Sequence, residues 1–137
     1  MRQQPAEADQ HRLAVTHVHG DAYEVDIRGH WILVDQPLEA GGTDTAPTPT
    51  ELFTASLAFY AGRYLHRHGL PRRGLRVRTE FTMASDSPAR VDNVRLVIVP
   101  PPELSAARHA ALLAVARHCT IHNTLRSAPG IDIELEP

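Results

Sequence analysis

The chain has 137 residues, 42% of them hydrophobic and 22% charged, and carries a formal net charge of −2. This length fits a single domain with a modest core, and the slight acidity excludes a general electrostatic pull towards nucleic acid or anionic membranes. A single cysteine, Cys119, excludes an internal disulfide and fits a reducing compartment.

Residues 1–11 are polar and unpatterned, which predicts a mobile tail ahead of one domain over residues 12–137. The tail has no apolar core of the kind a signal peptide carries, and no apolar run reaches the ~18 residues of a membrane span, so a cytoplasmic protein is expected. From Leu13 the pattern becomes two-fold. Leu13, Val15 and His17 share one side, Gly20-Asp21 turns, and Tyr23, Val25 and Ile27 alternate with Glu24, Asp26 and Arg28. Gly29-His30 makes a second turn, and Trp31 to Val34 form a third strand, buried on both faces or lying at an interface. Asp35 to Ala46 is a loop rich in Gly, Asp and Thr, placed to wall a site.

Pro47 to Leu70 predicts one long helix. Thr48 is its N-cap, Pro49 stands at the first helical position, and Glu51 closes a capping box. Apolar residues from Leu52 to Leu65 cover most of its circumference, so other elements or a second subunit must wrap it. His66, Arg67 and His68 suit the last turn, and Gly69 ends it. Leu75 to Met83 alternate as a strand after a basic turn, and Val91 to Val99 form its hairpin partner, stopped by three prolines. Glu103 to His118 is a second helix whose apolar stripe ends at Cys119. Thr120 caps one further turn, and Ile131, Ile133 and Leu135 alternate in a closing strand. There is no internal repeat.

Three pieces carry a likeness: Asp35-Gln-Pro followed by Gly41-Gly42, then Thr48-Pro-Thr-Glu-Leu-Phe53, and His118-Cys-Thr-Ile-His-Asn-Thr-Leu125. Together with the element order they resemble the OsmC/Ohr family over roughly Leu13 to Leu135. The resemblance implies an α+β fold of order βββ-α-ββ-α(α)-β, with two buried helices packed on sheets in an intertwined homodimer. It also implies thiol-dependent, peroxiredoxin-like reduction of organic hydroperoxides in the oxidative stress response. In that chemistry a thiolate on the first buried helix attacks peroxide oxygen and becomes a sulfenic acid, which a second cysteine resolves. Neither a metal nor another cofactor is implied.

The first buried helix has no cysteine. Aligned without gaps, the nucleophile's position is Tyr60; the preferred alignment instead deletes about four residues between Ala58 and Phe59, roughly one helical turn, which would rotate the following face by only ~40°. A tyrosine hydroxyl, with an ordinary pKa of about 10, cannot substitute for the thiolate. By the resemblance Cys119 occupies the resolving position, Thr50 falls where some members carry a carboxylate, and Arg28 is the nearest candidate for the arginine beside the nucleophile. Glu51 has a sufficient reading as a capping residue, Arg28 one as a solvated strand residue, and Cys119 one as a small buried hydrophobe. As a nucleophile Cys119 would have backbone N–H groups of the following turn directed at its sulfur. His118, Cys119 and His122 also allow a metal reading, which lacks a fourth ligand. Arg72, Arg73, Arg76 and Arg78 form a basic strip without interleaved aromatics, which reads as a solvated strand face.

The expected protein is thus an OsmC-like homodimer, lacking peroxidase activity and serving as an apolar-ligand binder or scaffold, its interface pocket drawing on Thr50, Glu51, Phe53 and Tyr60. The alternative is a one-cysteine thiol peroxidase that uses Cys119 and an external dithiol reductant. Neither reading calls for nucleic acid or a membrane.

Overall fold

The computed structural model describes residues 11–59 and 61–137. It is a mixed α+β chain that divides between Leu52 and Phe53 into two compact units. The tail expected over residues 1–11 lies, but for His11, outside the described residues, as does Tyr60. Among the described residues no helix is long and apolar enough to cross a membrane.

In the first unit, β1 (Ala14–His19), β2 (Ala22–Ile27) and β3 (His30–Val34) form an antiparallel meander in that order. The register sets Val15 opposite Val25 and Val25 opposite Ile32, with His17, Tyr23 and Val34 in the next row. Directly opposed residues share a face, so the two-fold pattern produces one apolar face. Arg28 and Gly29 make the second hairpin turn with φ of 54° and 82°, the pair of left-handed conformations that matches strand twist. Arg28 therefore sits in the turn rather than on the strand, because β2 ends at Ile27 and the Gly29 N–H is taken by Asp26 Oδ1 at 3.1 Å. The third strand is not buried on both faces: Trp31 is 68% exposed, and only Val34 is buried.

The long helix is two. Helix α1 (Pro49–Ala58) crosses the boundary between the units, and α2 (Ala61–Arg67) follows after a break at Phe59. The capping box forms as expected, with the Glu51 N–H on Thr48 Oγ1 at 3.1 Å and the Thr48 N–H on Glu51 Oε1 at 2.9 Å. At the other end Gly69, at φ 62°, lets its own N–H reach the His66 carbonyl and the Leu70 N–H reach that of Leu65, closing a Schellman motif. Buried Thr54, Leu57, Ala61, Tyr64 and Leu65 keep helical spacing across the break, so the stripe survives where the helix does not. The break falls at Phe59, an aromatic residue that loses side-chain freedom in a helix.

The second unit is built on β4 (Arg76–Met83) and β5 (Val91–Val99), an antiparallel hairpin with Val77 opposite Ile98 and Phe81 opposite Val94. Against it lies the core: Ala61, Tyr64 and Leu65 of α2, Leu104, and Leu112 of α3 (Ala106–Ala116), flanked by Leu70, Leu75, Val77 and Ile98. Helix α4 (Thr120–Arg126) closes the regular structure. Its cap is Cys119 rather than Thr120. The expected closing strand does not form; Ile131, Ile133 and Leu135 are 79%, 92% and 94% exposed. An alternating pattern specifies a strand only when a neighbour supplies the ladder, and among the described residues none does.

Candidate functional site

Cys119 is buried, 4% exposed, at the junction of α3 and α4. Its backbone is extended and its Sγ accepts the His122 N–H at 3.2 Å, so the sulfur takes the capping place usually held by a hydroxyl or carboxylate oxygen. Beside it opens a cavity of about 260 Å³ bordered by Arg63, Tyr64 and Arg67 of α2, His118, Cys119 and Thr120. Arg63 and Arg67 are four residues apart and so share a face of α2. Tyr64 is fixed from behind by Arg108, which donates to its hydroxyl at 3.4 Å. The structure thus places the predicted thiol with two arginines that sequence reasoning did not select.

Arg28, Thr50, Glu51 and Phe53 are not among the described residues that line this cavity. Arg28 borders a shallow surface hollow with Arg12 and Asp26. Glu51 is occupied by the capping box, Thr50 stands beside it in the first turn of α1, and Phe53 is 36% exposed on the same helix. A separate groove of about 330 Å³ between β5 and α3 is lined by Leu96, Ile98, Leu112 and Leu113, with Arg95 and His109 at its polar margin. Among the described residues no three His, Cys, Asp or Glu side chains converge as a metal site.

The loop read as a site wall is organised around a buried carboxylate, and its Asp35 and Gln36 border a hollow of about 320 Å³. Asp35, 1% exposed, accepts from Thr45 Oγ1 at 2.7 Å, from the Thr45 N–H at 3.1 Å, from Thr43 Oγ1 at 2.7 Å and from the Gln36 N–H at 2.7 Å. These donors, the Thr45 hydroxyl foremost, hold its pKa well below the ordinary carboxylate range against the opposing effect of burial. A depressed folded pKa contributes stability that is complete above the unfolded value near 4 and is lost as the pH falls below it. The stability difference between the wild type and Asp35→Asn is therefore expected to be widest at neutral pH and to narrow below about pH 4. Urea unfolding at several pH values checks this; a pH-independent difference would remove the ionised carboxylate from the account.

With this geometry in view, residues 42–135 match the family of OsmC-like proteins, a stretch covering more than half of the chain. The chain belongs to the OsmC-like family. Among solved structures the OsmC-like chain is similar to a Psychrobacter arcticus protein assigned to the osmotic stress and detoxification response, with 21% identity, TM-score 0.77, and 85% of this chain and 89% of that one covered. It is also similar to an OsmC-like protein of unknown function from Vibrio cholerae, at 12% identity and TM-score 0.63, with 85% and 94% covered. An organic hydroperoxide resistance protein OsmC from Legionella pneumophila matches at 17% identity and TM-score 0.57, with 89% and 92% covered. At such identities these likenesses establish the α+β fold. A comparison with curated proteins gives no match.

Proposed function

We propose that this OsmC-like protein keeps the family fold as a cytoplasmic homodimer without peroxidatic competence, and serves as a binding or scaffold protein for a small apolar ligand at the dimer interface. The observation that carries this is the absence of cysteine from α1 and α2, which leaves Cys119 as the only sulfur nucleophile. A sulfenic acid formed there has no second cysteine in its own chain to resolve it. The homodimer draws support from apolar surface within each unit. Val15, Tyr23 and Ile32 remain exposed on one face of the three-stranded sheet, and Ile131, Ile133 and Leu135 alternate in a segment without a ladder partner among the described residues. A second copy of the chain would cover both.

Purified protein is expected to sediment at twice the chain mass. It should consume cumene or tert-butyl hydroperoxide, with a dithiol reductant, no faster than Cys119→Ser. Turnover that depends on Cys119 would overturn the non-enzymatic reading and establish the one-cysteine thiol peroxidase. That second reading has its own observation, the cavity that brings Arg63 and Arg67 beside the thiol. It requires one sulfenic acid per chain, trappable with dimedone after peroxide treatment.

A further inference from the structure

The cavity beside Cys119 has an electrostatic character that an apolar-ligand reading leaves unused. Arg63 and Arg67 border it from α2 and His118 from the segment between α3 and α4, and no described residue of its lining is acidic. Arg67 has no hydrogen-bond or ion-pair partner among the described residues, although Asp86 and Glu80 pair with Arg90 and Arg95 elsewhere in the unit. The guanidinium fork matches a carboxylate in two parallel hydrogen bonds. About 260 Å³ exceeds what a lone inorganic oxyanion fills, at ~30 Å³ for each water displaced, and the ring of Tyr64 supplies an apolar flank for an organic body.

We propose that this cavity binds small organic carboxylates, held by Arg63 and Arg67 with Thr120 and His118 as further hydrogen-bonding groups, and that it presents those carrying a disulfide to Cys119. The step is thiol–disulfide exchange. The Cys119 thiol loses its proton, and its sulfur attacks one sulfur of the bound disulfide. The S–S bond of the ligand breaks as the Cys119–ligand S–S bond forms, and the departing thiolate takes up the proton. The Cys119 sulfur is oxidised and the departing sulfur is reduced, with no other reactant. This proposal goes beyond the peroxidase question, since it involves no peroxide.

The test compares the full chain's reaction with a dicarboxylate aromatic disulfide, 5,5′-dithiobis(2-nitrobenzoate), and with the neutral 4,4′-dithiodipyridine. The ratio of the two rates is expected to fall by about tenfold in Arg67→Gln, with the double change Arg63→Gln/Arg67→Gln lower still, as befits loss of a charge-assisted hydrogen bond. Arg67→Lys should keep part of the ratio that Arg67→Gln loses, because charge remains without the fork. On the unaltered protein, benzoate at fixed ionic strength should slow alkylation of Cys119 by iodoacetamide, whereas inorganic phosphate should not. Equal protection by phosphate would overturn the organic-carboxylate assignment. A rate ratio unmoved by the arginine changes, or no protection by benzoate, would overturn the site.

Discussion

Leu65→Ala is expected to cost about 3 kcal/mol of folding stability and to lower the melting temperature by roughly 10 °C. Leu65 is fully buried in α2, where it meets the cluster of Ala61, Tyr64, Leu104 and Leu112. Truncation removes Cγ and its two methyl groups from contact and leaves a cavity, since a core built of so few buried side chains has little to collapse into the gap. The Schellman motif at the end of α2 limits relaxation further, because the Leu65 carbonyl receives the Leu70 N–H at 2.8 Å. Leu38→Ala is the control: that leucine is 71% exposed in the short 3-10 turn Leu38–Ala40, and its loss should stay within about 0.5 kcal/mol. Urea unfolding of the three proteins at one concentration measures the difference. A Leu65 variant as stable as the control would mean that α2 is not docked on the β4–β5 sheet in the folded state.

The elements that sequence reasoning located are those whose signals are local. Thr48, Pro49 and Glu51 announced the start of α1 and Gly69 the end of α2, because caps are made by residues within a turn of one another. The alternation in β1, β2 and β4 is equally plain, and the registers follow it. What failed needed information from elsewhere. The break at Phe59 leaves the apolar spacing intact, so periodicity carries no trace of it. Ile131, Ile133 and Leu135 have the pattern of a strand, but a strand is a relation to a neighbour and not a property of its own residues.

The site was legible in the same uneven way. Cys119 stood out as the only thiol, and its placement before a short helix was readable from the chain. Arg63 and Arg67 did not stand out, although their four-residue spacing within a helix was visible and marks a cationic face. What selects them is the docking of α2 against α3, a contact between segments some fifty residues apart that no local pattern encodes. Asp35 presents the converse case. Its motif is part of the family resemblance, yet its role is set only by Thr43 and Thr45 folded round it.

Gly42→Ala should be comparably damaging, for a reason of shape rather than of lost burial. A Cβ at Gly42 would overlap the Gln36 carbonyl oxygen, stand 2.5 Å from the Gln36 carbonyl carbon, and lie 2.8 Å from Asp35 Oδ1. Backbone is the obstacle, so no rotamer change relieves it. Moving Gln36 aside is blocked in turn, since its carbonyl accepts the Asp44 N–H at 3.0 Å and its own N–H donates to Asp35 at 2.7 Å. The Gly42 N–H is itself committed to the Pro37 carbonyl at 3.1 Å. Relief therefore requires the loop from Asp35 to Pro47 to open, which frees a buried carboxylate from its donors; the expected cost is about 3 kcal/mol, at the upper end for overpacking. Gly130→Ala is the matching control, because a Cβ there meets nothing within 4 Å and the backbone is not left-handed. Thermal unfolding of both variants decides the matter. If Gly42→Ala melts with the wild type, the Asp35 loop accommodates a side chain where the structure leaves no room. If instead it melts early and its difference from the wild type shrinks below about pH 4, the Asp35 carboxylate is the group that holds this loop closed.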